Sequence, residues 1–199
     1  SYALAYGVSN FLFLCNLGVL ITAGALWSGS RLWISSQAVA APIIGCAWAL
    51  DAGWRLASGD FLYGGTAYMW DPQYPLFTRL LSLYHLAWPV LVVVLVRRVG
   101  YDRRGWALQA AIAGSVLVVC RLWTAPAENI NFAFVDPVFG RAFTPAALHL
   151  AIVIVALAGV AYGATHFALL RSARRRSDTG AGATPGAATG TLLDRATAG

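Results

Sequence analysis

Charged residues are scarce in this chain, and lysine is absent. Of its 199 residues, 11% are charged and 59% are hydrophobic, and the mean hydropathy is +0.65. A soluble domain usually carries about a quarter charged residues, so this composition excludes an ordinary soluble globular protein. It predicts an all-α integral membrane protein, a polytopic bundle whose core is the packing of transmembrane helices against one another.

All the basic residues are arginine, and they give a formal net charge of +6. Their distribution does not favour a nucleic-acid-binding surface, because the densest groups lie at 97–104 and 171–176, directly beside hydrophobic stretches. The positive-inside rule accounts for arginine at such places. We therefore expect membrane lipids as partners, with a membrane protein complex as a further option, and no nucleic acid.

Cysteine is also scarce. The chain has Cys15, Cys46 and Cys120, all inside hydrophobic stretches. An odd number of cysteines without CxxC spacing excludes a disulfide framework and a zinc ribbon, and the ordinary role of a buried cysteine is to fill space. No metal site and no cofactor is predicted.

Long hydrophobic stretches are, in contrast, abundant. Each is long enough to cross about 30 Å of hydrocarbon as a helix. The predicted transmembrane domain covers residues 1–176, with spans at 4–27, 33–57, 76–96, 105–124 and 145–170. The chain starts without methionine, which leaves open that a further N-terminal helix has been removed. The Gly/Ala/Thr-rich segment 177–199 is predicted to be a disordered cytoplasmic tail.

The loops between the spans separate by charge. The short loop 28–32, the loop 97–104 and the segment after 170 carry arginines, whereas the loops 58–75 and 125–144 hold four acidic residues against Arg141 alone. This asymmetry predicts an outside N-terminus and a cytoplasmic C-terminus in a multi-pass protein of the bacterial inner membrane.

Several ionisable residues inside the spans share a depth. They are Cys15, Asp51, His85, Arg121 and His149. With ~1.5 Å per residue, they are predicted to lie roughly 3–15 Å below the outer surface. An ionisable group in lipid costs several kcal/mol unless it faces protein, water or a partner. The pattern therefore predicts a site in the outer leaflet.

Two interpretations compete for these residues. Asp51 and Arg55 stand at i and i+4, which favours a structural ion pair along one helix face, and Arg121 is an alternative partner for Asp51 or a ligand for a lipid phosphate. Cys15 and His85 instead meet the minimum requirement for an activated thiol, namely a nucleophile and a base at similar depth on neighbouring helices.

Three short motifs resemble a family of bacterial membrane proteins of the YwaF type. They are Phe13-Leu14-Cys15-Asn16-Leu17, Leu83-Tyr84-His85 and Asn129-Ile130-Asn131-Phe132. The chain is similar in the same way to an animal cysteine-dependent phospholipid acyltransferase, and more distantly to androgen-induced membrane hydrolases of fatty-acid esters. Many members are named only as membrane-associated proteins.

The resemblance implies catalytic roles for Cys15 and His85. Asn16 stands where the bacterial relatives often have an aspartate that would orient the site, and Asp51 is a candidate substitute. Arg121, with Asn129 or Asn131, is expected to bind the phosphate or the oxyanion.

The leading hypothesis is therefore a lipid acyltransferase or lipid-ester hydrolase that works from the outer leaflet. A non-catalytic scaffold or accessory subunit is the first alternative, because no complete catalytic motif is present. A haem or quinone protein is the second, with His85 and His149 as the histidine pair nearest to one depth. A transporter is disfavoured, because no broken-helix repeat pair is found.

Overall fold

The computed structural model describes residues 2–137 and 140–181, and within these ranges the regular structure is entirely helical. The α-helices are α1 (Tyr2–Tyr6), α2 (Leu14–Ser28), α3 (Arg31–Ser58), α4 (Leu76–Leu81), α5 (Tyr84–Val99), α6 (Arg104–Trp123), α7 (Ala146–Val155) and α8 (Tyr162–Ala181). Four stretches are long and apolar enough to cross a membrane, namely Arg31–Ser58, Leu76–Val99, Arg104–Trp123 and Ala146–Arg175. With α2 as a shorter apolar helix, they form the bundle of about five spans expected for a multi-pass membrane protein.

The prediction of the first span is wrong in its N-terminal half, where the structure has no continuous helix. The stretch 4–27 is not one helix: α1 stops before Gly7, whose φ of +80° lies in the left-handed region, and a 3₁₀ turn (Ser9–Leu12) precedes α2. The helix that remains has 15 residues and is about 22 Å long, short for a full crossing. Residues 2–13 instead fold over one end of the bundle, which we call the loop end because the loops 59–75 and 124–145 lie there.

Helix α3 is the centre of the bundle. It packs against α2, α5, α6 and α8, and its residues 34–41 are all buried. Two apolar clusters form around it, one with α6 and α8 at Leu117 and Tyr162, the other with α2 and α5 at Trp88 and Val92. The neighbours of any site on α2 or α5 are therefore set by α3.

The α3–α5 contact depends on a glycine. A Cβ at Gly45 would lie 2.6 Å from the His85 carbonyl oxygen and would overlap Pro89 Cγ. Pro89 has no N–H to give to the His85 carbonyl one turn earlier, so the α5 backbone is irregular at this point. Gly45 thus allows α3 to approach the part of α5 that carries His85.

Two of the predicted spans are interrupted. The third is split into α4 and α5 at Ser82 and Leu83, and the fifth contains a π-helical segment, Ala156–Ala161, between α7 and α8. The indole N–H of Trp106 donates to the Ala158 carbonyl in that segment at 2.9 Å. The tail predicted from residue 177 begins inside α8, and residues 182–199 lie outside the described part of the chain.

The opposite end of the bundle, the arginine end, is fastened by the loop between α5 and α6. Asp102 accepts hydrogen bonds from the Arg104 backbone N–H and guanidinium, and its own N–H donates to Ser35 Oγ at 2.9 Å. The Arg104 contacts lower the pKa of the Asp102 carboxyl to about 2. Arg31 donates to the Tyr101 carbonyl at 2.9 Å, so at least two of the arginines here hold this loop.

Candidate functional site

A cavity of about 250 Å³ at the loop end brings together three of the residues singled out from the sequence. Cys15 and Asn16 reach it from the start of α2, and His85 from the start of α5. The other lining residues are Tyr2, Tyr6, Asn10, Phe13, Trp48, Gly65, Tyr68, Tyr74 and Tyr84. The N-terminal segment and the loop 59–75 thus complete a pocket whose inner wall is α2, α3 and α5.

The His85 ring is held in one orientation. Its Nδ1 lies 2.8 Å from the Ser82 carbonyl oxygen, and since a carbonyl only accepts, Nδ1 carries the proton. The imidazole is stacked on Trp48 at 5.2 Å and 4°, and on Tyr84 at 4.2 Å and 23°. In the neutral ring Nε2 is therefore the basic nitrogen, and no described residue donates a hydrogen bond to it.

The break between α4 and α5 supplies this arrangement. Around Ser82 the backbone makes 3₁₀-type bonds, and the Ser82 carbonyl accepts from the His85 N–H at 3.1 Å as well as from the ring. The orienting role predicted for a carboxylate is thus filled by a backbone carbonyl. Neither Asn16 nor Asp51 orients His85.

Asn16 organises the wall of the cavity beside Cys15. Its Oδ1 accepts from the Tyr84 hydroxyl at 2.7 Å and from the Tyr2 hydroxyl at 3.2 Å, and its Nδ2 donates to the Asn10 carbonyl at 2.7 Å. The amide therefore ties α1, the turn before α2 and α5 together around the thiol.

Asp51 has a different role from the predicted ion pair with Arg55, and that prediction is wrong. The carboxylate is fully buried and accepts from the Tyr63, Gly64 and Thr66 N–H groups and from the Thr66 hydroxyl, at 2.6–3.2 Å. The Arg55 guanidinium lies instead over the Phe61 ring, 4.8 Å from its centroid. Asp51 thus anchors the loop that places Gly65 in the cavity wall.

Gly64 and Gly65 make this loop possible. Gly64 has a φ of +79°, which favours glycine, and a Cβ at Gly65 would overlap the Tyr63 ring. Adjacent glycines are typical of a turn, and in the structure this turn wraps the Asp51 carboxylate.

Arg121, Asn129 and Asn131 do not line the cavity. Arg121 donates to the Ala133 carbonyl at 3.4 Å and covers the Phe134 ring, 4.5 Å from its centroid. Both asparagines bind backbone groups, and Asn131 connects the second loop to α2 by accepting from the Leu14 N–H at 2.9 Å. In the structure these side chains fasten the second loop, and their role in binding phosphate or an oxyanion stays a prediction.

The imidazole ring of His149 is also engaged in hydrogen bonds with the backbone. Its Nε2 lies 3.0 Å from the Phe132 carbonyl oxygen, and its Nδ1 accepts from the Phe143 N–H at 3.4 Å. Both ring nitrogens are therefore engaged with backbone, which disagrees with the haem alternative that pairs His149 with His85. Among the described residues, no group of three His, Cys, Asp or Glu side chains is arranged to hold a metal.

The cavity lining contains residues that the sequence reasoning missed, above all the four tyrosines Tyr2, Tyr6, Tyr68 and Tyr74. Burial raises the pKa of Tyr6 to about 12 and that of Tyr68 beyond its ordinary value, so these phenols remain neutral hydrogen-bond donors at physiological pH. The density of tyrosine in 2–6 and 63–74 was the available signal. A membrane-interface belt explains aromatics in such places equally well, so the pattern alone did not reveal a pocket.

Comparison of the chain with protein-family models, with curated proteins and with solved structures finds no match. The argument for function therefore depends on the geometry of the cavity.

Proposed function

We propose that this protein is a membrane enzyme that transfers or hydrolyses the acyl group of a lipid ester, with Cys15 as nucleophile and His85 as base. The observation that carries the proposal is that Cys15 and His85, from different helices, line the same cavity, with His85 held in the tautomer that offers Nε2 as a base. The resemblance to YwaF-type proteins is consistent with this assignment and stays a prediction.

The chemistry requires two steps. In the first, Nε2 takes the thiol proton, the sulfur attacks the ester carbonyl, the C–O bond breaks and the proton passes to the leaving alkoxide, which departs as an alcohol. In the second, water or an acceptor alcohol attacks the thioester, gives its proton to Nε2, and the C–S bond breaks. The thiol is then restored by the same proton.

The cavity walls favour this chemistry over an open surface reaction. The hydrogen-bonded side chains of Asn16 and Tyr84 give the cavity a polar wall next to Cys15. The stacked faces of Trp48 and Tyr84 keep the imidazole in place. A polar reaction centre with aromatic walls suits an acyl ester, which is polar at its carbonyl and apolar beyond it.

We further propose that the loop end faces outwards and the arginine end faces the cytoplasm of a bacterial inner membrane, as the charge of the loops predicts. The site would then take lipids from the outer leaflet. A cysteine placed at the exposed Asp60 should react with a membrane-impermeant maleimide on intact cells. Reaction only after lysis would reverse the orientation.

Trapping of the acyl intermediate tests the enzyme proposal. Detergent-purified protein is incubated with phospholipids whose acyl chains carry an alkyne, and each cysteine is examined by mass spectrometry. We expect a hydroxylamine-sensitive acyl adduct on Cys15, lost in Cys15→Ala and in His85→Gln and retained in Cys46→Ala, the matched control on an exposed cysteine. An adduct that persists in Cys15→Ala, or no adduct with any lipid class, would contradict the proposal.

One observation favours a second candidate, a non-catalytic scaffold or accessory subunit. Four of the predicted site residues, Asp51, Arg121, Asn129 and Asn131, only fasten the loops. A scaffold needs rigid loops at one end and no reactive thiol. It predicts that Cys15→Ala leaves every cellular role of the protein intact and that a partner complex co-purifies with it.

A further inference from the structure

The Trp48 side chain lies between the His85 imidazole and the loop that completes the cavity. Its indole, on α3, is stacked on the His85 ring, with the centroids 5.2 Å apart and the planes at 4°. Its Nε1–H donates to the hydroxyl oxygen of Tyr68 at 3.0 Å, and Tyr68 belongs to the short 3₁₀ turn (Ala67–Met69) of the loop 59–75. The loop and the imidazole thus contact the same side chain.

The hydrogen bond between Trp48 and Tyr68 fixes the rotation of the indole. Trp48 is buried, and an indole carries one N–H and no acceptor, so this bond uses its whole hydrogen-bonding capacity. Rotation away from Tyr68 would leave a buried donor without a partner, which costs free energy. Because the imidazole is stacked almost parallel to the indole, the orientation of the indole limits that of the His85 ring.

The other contacts of the His85 ring do not replace this restraint. The bond from Nδ1 to the Ser82 carbonyl fixes one atom of the ring and leaves the ring plane to be set by its stacking partners. Tyr84 stacks on the imidazole at 4.2 Å, but it is the neighbouring residue on the same helix. Trp48 is the stacking partner that comes from another helix, so the ring plane depends on tertiary structure through Trp48.

The loop is fastened to α3 at two neighbouring places. Asp51, one turn after Trp48 on α3, accepts from the Thr66 N–H at 2.8 Å, and Tyr68 follows two residues later in the loop. The carboxylate of Asp51 binds the loop alone, whereas the Trp48 indole binds the loop and also contacts His85. The second fastening is therefore the one through which the loop can influence the base.

We propose that Tyr68 is a positioning residue for His85: its hydroxyl holds the Trp48 indole, and the indole aligns the imidazole while the loop 59–75 covers the cavity. The inference rests on the proposed function and adds to it a dependence of the base on the loop. A base that is aligned only in the covered site reacts with a bound ester and not with one that is still entering. Tyr68 contributes no catalytic atom and acts through Trp48.

The first test observes the imidazole directly by magnetic resonance. The full chain in detergent carries histidine with isotope-labelled ring nitrogens, at a pH where the ring is neutral, and the His85 signals are identified by their loss in His85→Gln. We expect one tautomer, with the proton on Nδ1, in the unchanged chain. Tyr68→Phe and Trp48→Phe break the same hydrogen bond from either side, and each should give a mixture of both tautomers.

Tyr63→Phe is the matched control for this test. It removes a hydroxyl from the same loop, at a residue that does not line the cavity, and should leave the single tautomer of His85 unchanged. A single tautomer in Tyr68→Phe and Trp48→Phe as well would overturn the proposal.

The second test is a double-mutant cycle on the rate at which the Cys15 adduct forms from alkyne-labelled lipid esters. We expect Tyr68→Phe to lower the rate at saturating lipid about tenfold and to leave the half-saturating concentration unchanged, because a misplaced base slows the reaction and not the binding. Trp48→Phe already lacks the indole N–H, so adding Tyr68→Phe to it should slow the reaction no further. A further tenfold loss in the double variant would show that Tyr68 acts on the lipid directly and would overturn the proposal.

The two proposals fail in different ways. A mixture of His85 tautomers in Tyr68→Phe, in a protein that forms no Cys15 adduct with any lipid, would keep the positioning role and remove the enzyme. A Cys15 adduct that forms at an unchanged rate in Tyr68→Phe, with a single tautomer of His85, would keep the enzyme and remove the positioning role.

Discussion

Asp51 and His85 are both buried near the loop end, and their hydrogen bonds give them different roles. Asp51 accepts four hydrogen bonds from the loop 63–66, so its carboxylate is saturated. His85 makes one ring hydrogen bond, from Nδ1 to the Ser82 carbonyl, and its Nε2 stays available. A saturated group stabilises structure, whereas an oriented and unsaturated one can react.

Substitution of Asp51 tests its anchoring role. In Asp51→Asn an NH₂ group replaces one acceptor oxygen and faces N–H donors, so we expect a loss of about 2–3 kcal/mol in the free energy of unfolding and faster amide exchange at 63–66. Thermal unfolding in detergent and hydrogen exchange measure both. Asp60→Asn is the control, since Asp60 is exposed, and a stability of Asp51→Asn equal to that of the control would refute the anchor.

At the residue scale, the sequence allowed Cys15 and His85 to be predicted as a pair and did not allow the rest of the site to be predicted. A nucleophile and a base are chemically distinctive and rare in apolar helices, which makes them visible in a sequence. Tyr6, Tyr68 and Tyr74 reach the cavity from outside the membrane-spanning helices, through a chain reversal at Gly7 and a loop wrapped around Asp51. No helical periodicity connects such positions.

The elements that shape the site are one helix irregularity and one close contact. The break at Ser82 orients the imidazole, and Gly45 lets α3 approach α5 at the His85 carbonyl. Neither feature contributes a catalytic atom. Both act by setting where His85 lies relative to α2 and Cys15.

Gly45→Ala tests the helix contact. The added methyl group would overlap Pro89 Cγ and crowd the His85 carbonyl, so α3 and α5 must separate, at a cost of about 1–3 kcal/mol in the free energy of unfolding. Gly53→Ala, on the same helix, meets no atom within 4 Å and should be neutral or stabilising by up to about 1 kcal/mol. Thermal unfolding in detergent compares them, and equal melting temperatures would show that the contact is not tight.

At the element scale, the helices of the bundle were predictable because long apolar stretches are an unambiguous signal. The structure confirms 31–58 and 104–123 almost to the residue. The failure at 4–27 has a physical reason: apolar residues also fill a segment that folds back over the bundle, and a single left-handed residue at Gly7 separates the two outcomes.

The molecule as a whole divides into two ends with different construction. At the arginine end, Asp102, Ser35 and Arg31 fasten one short loop. At the loop end, longer segments are fastened through Asp51 and Asn131 and enclose a cavity. The division by charge could be read from the sequence, but the enclosed space could not, because it depends on the packing of segments distant along the chain.

The measurement that tests the central claim most directly is the alkylation rate of Cys15, with Cys46 as an internal standard in the same chain. Cys46 is exposed on α3 and should react as an ordinary thiol, whereas Cys15 is half-buried and lines the same cavity as His85. Detergent-purified protein is treated with a long-chain alkyl maleimide, and the modification of each cysteine is followed by mass spectrometry.

If His85 activates Cys15, then Cys15 should react about tenfold faster than Cys46, and this advantage should disappear in His85→Gln while the Cys46 rate stays unchanged. A Cys15 that reacts no faster than Cys46, or at a rate indifferent to the loss of His85, would contradict the account and identify Cys15 as a packing residue.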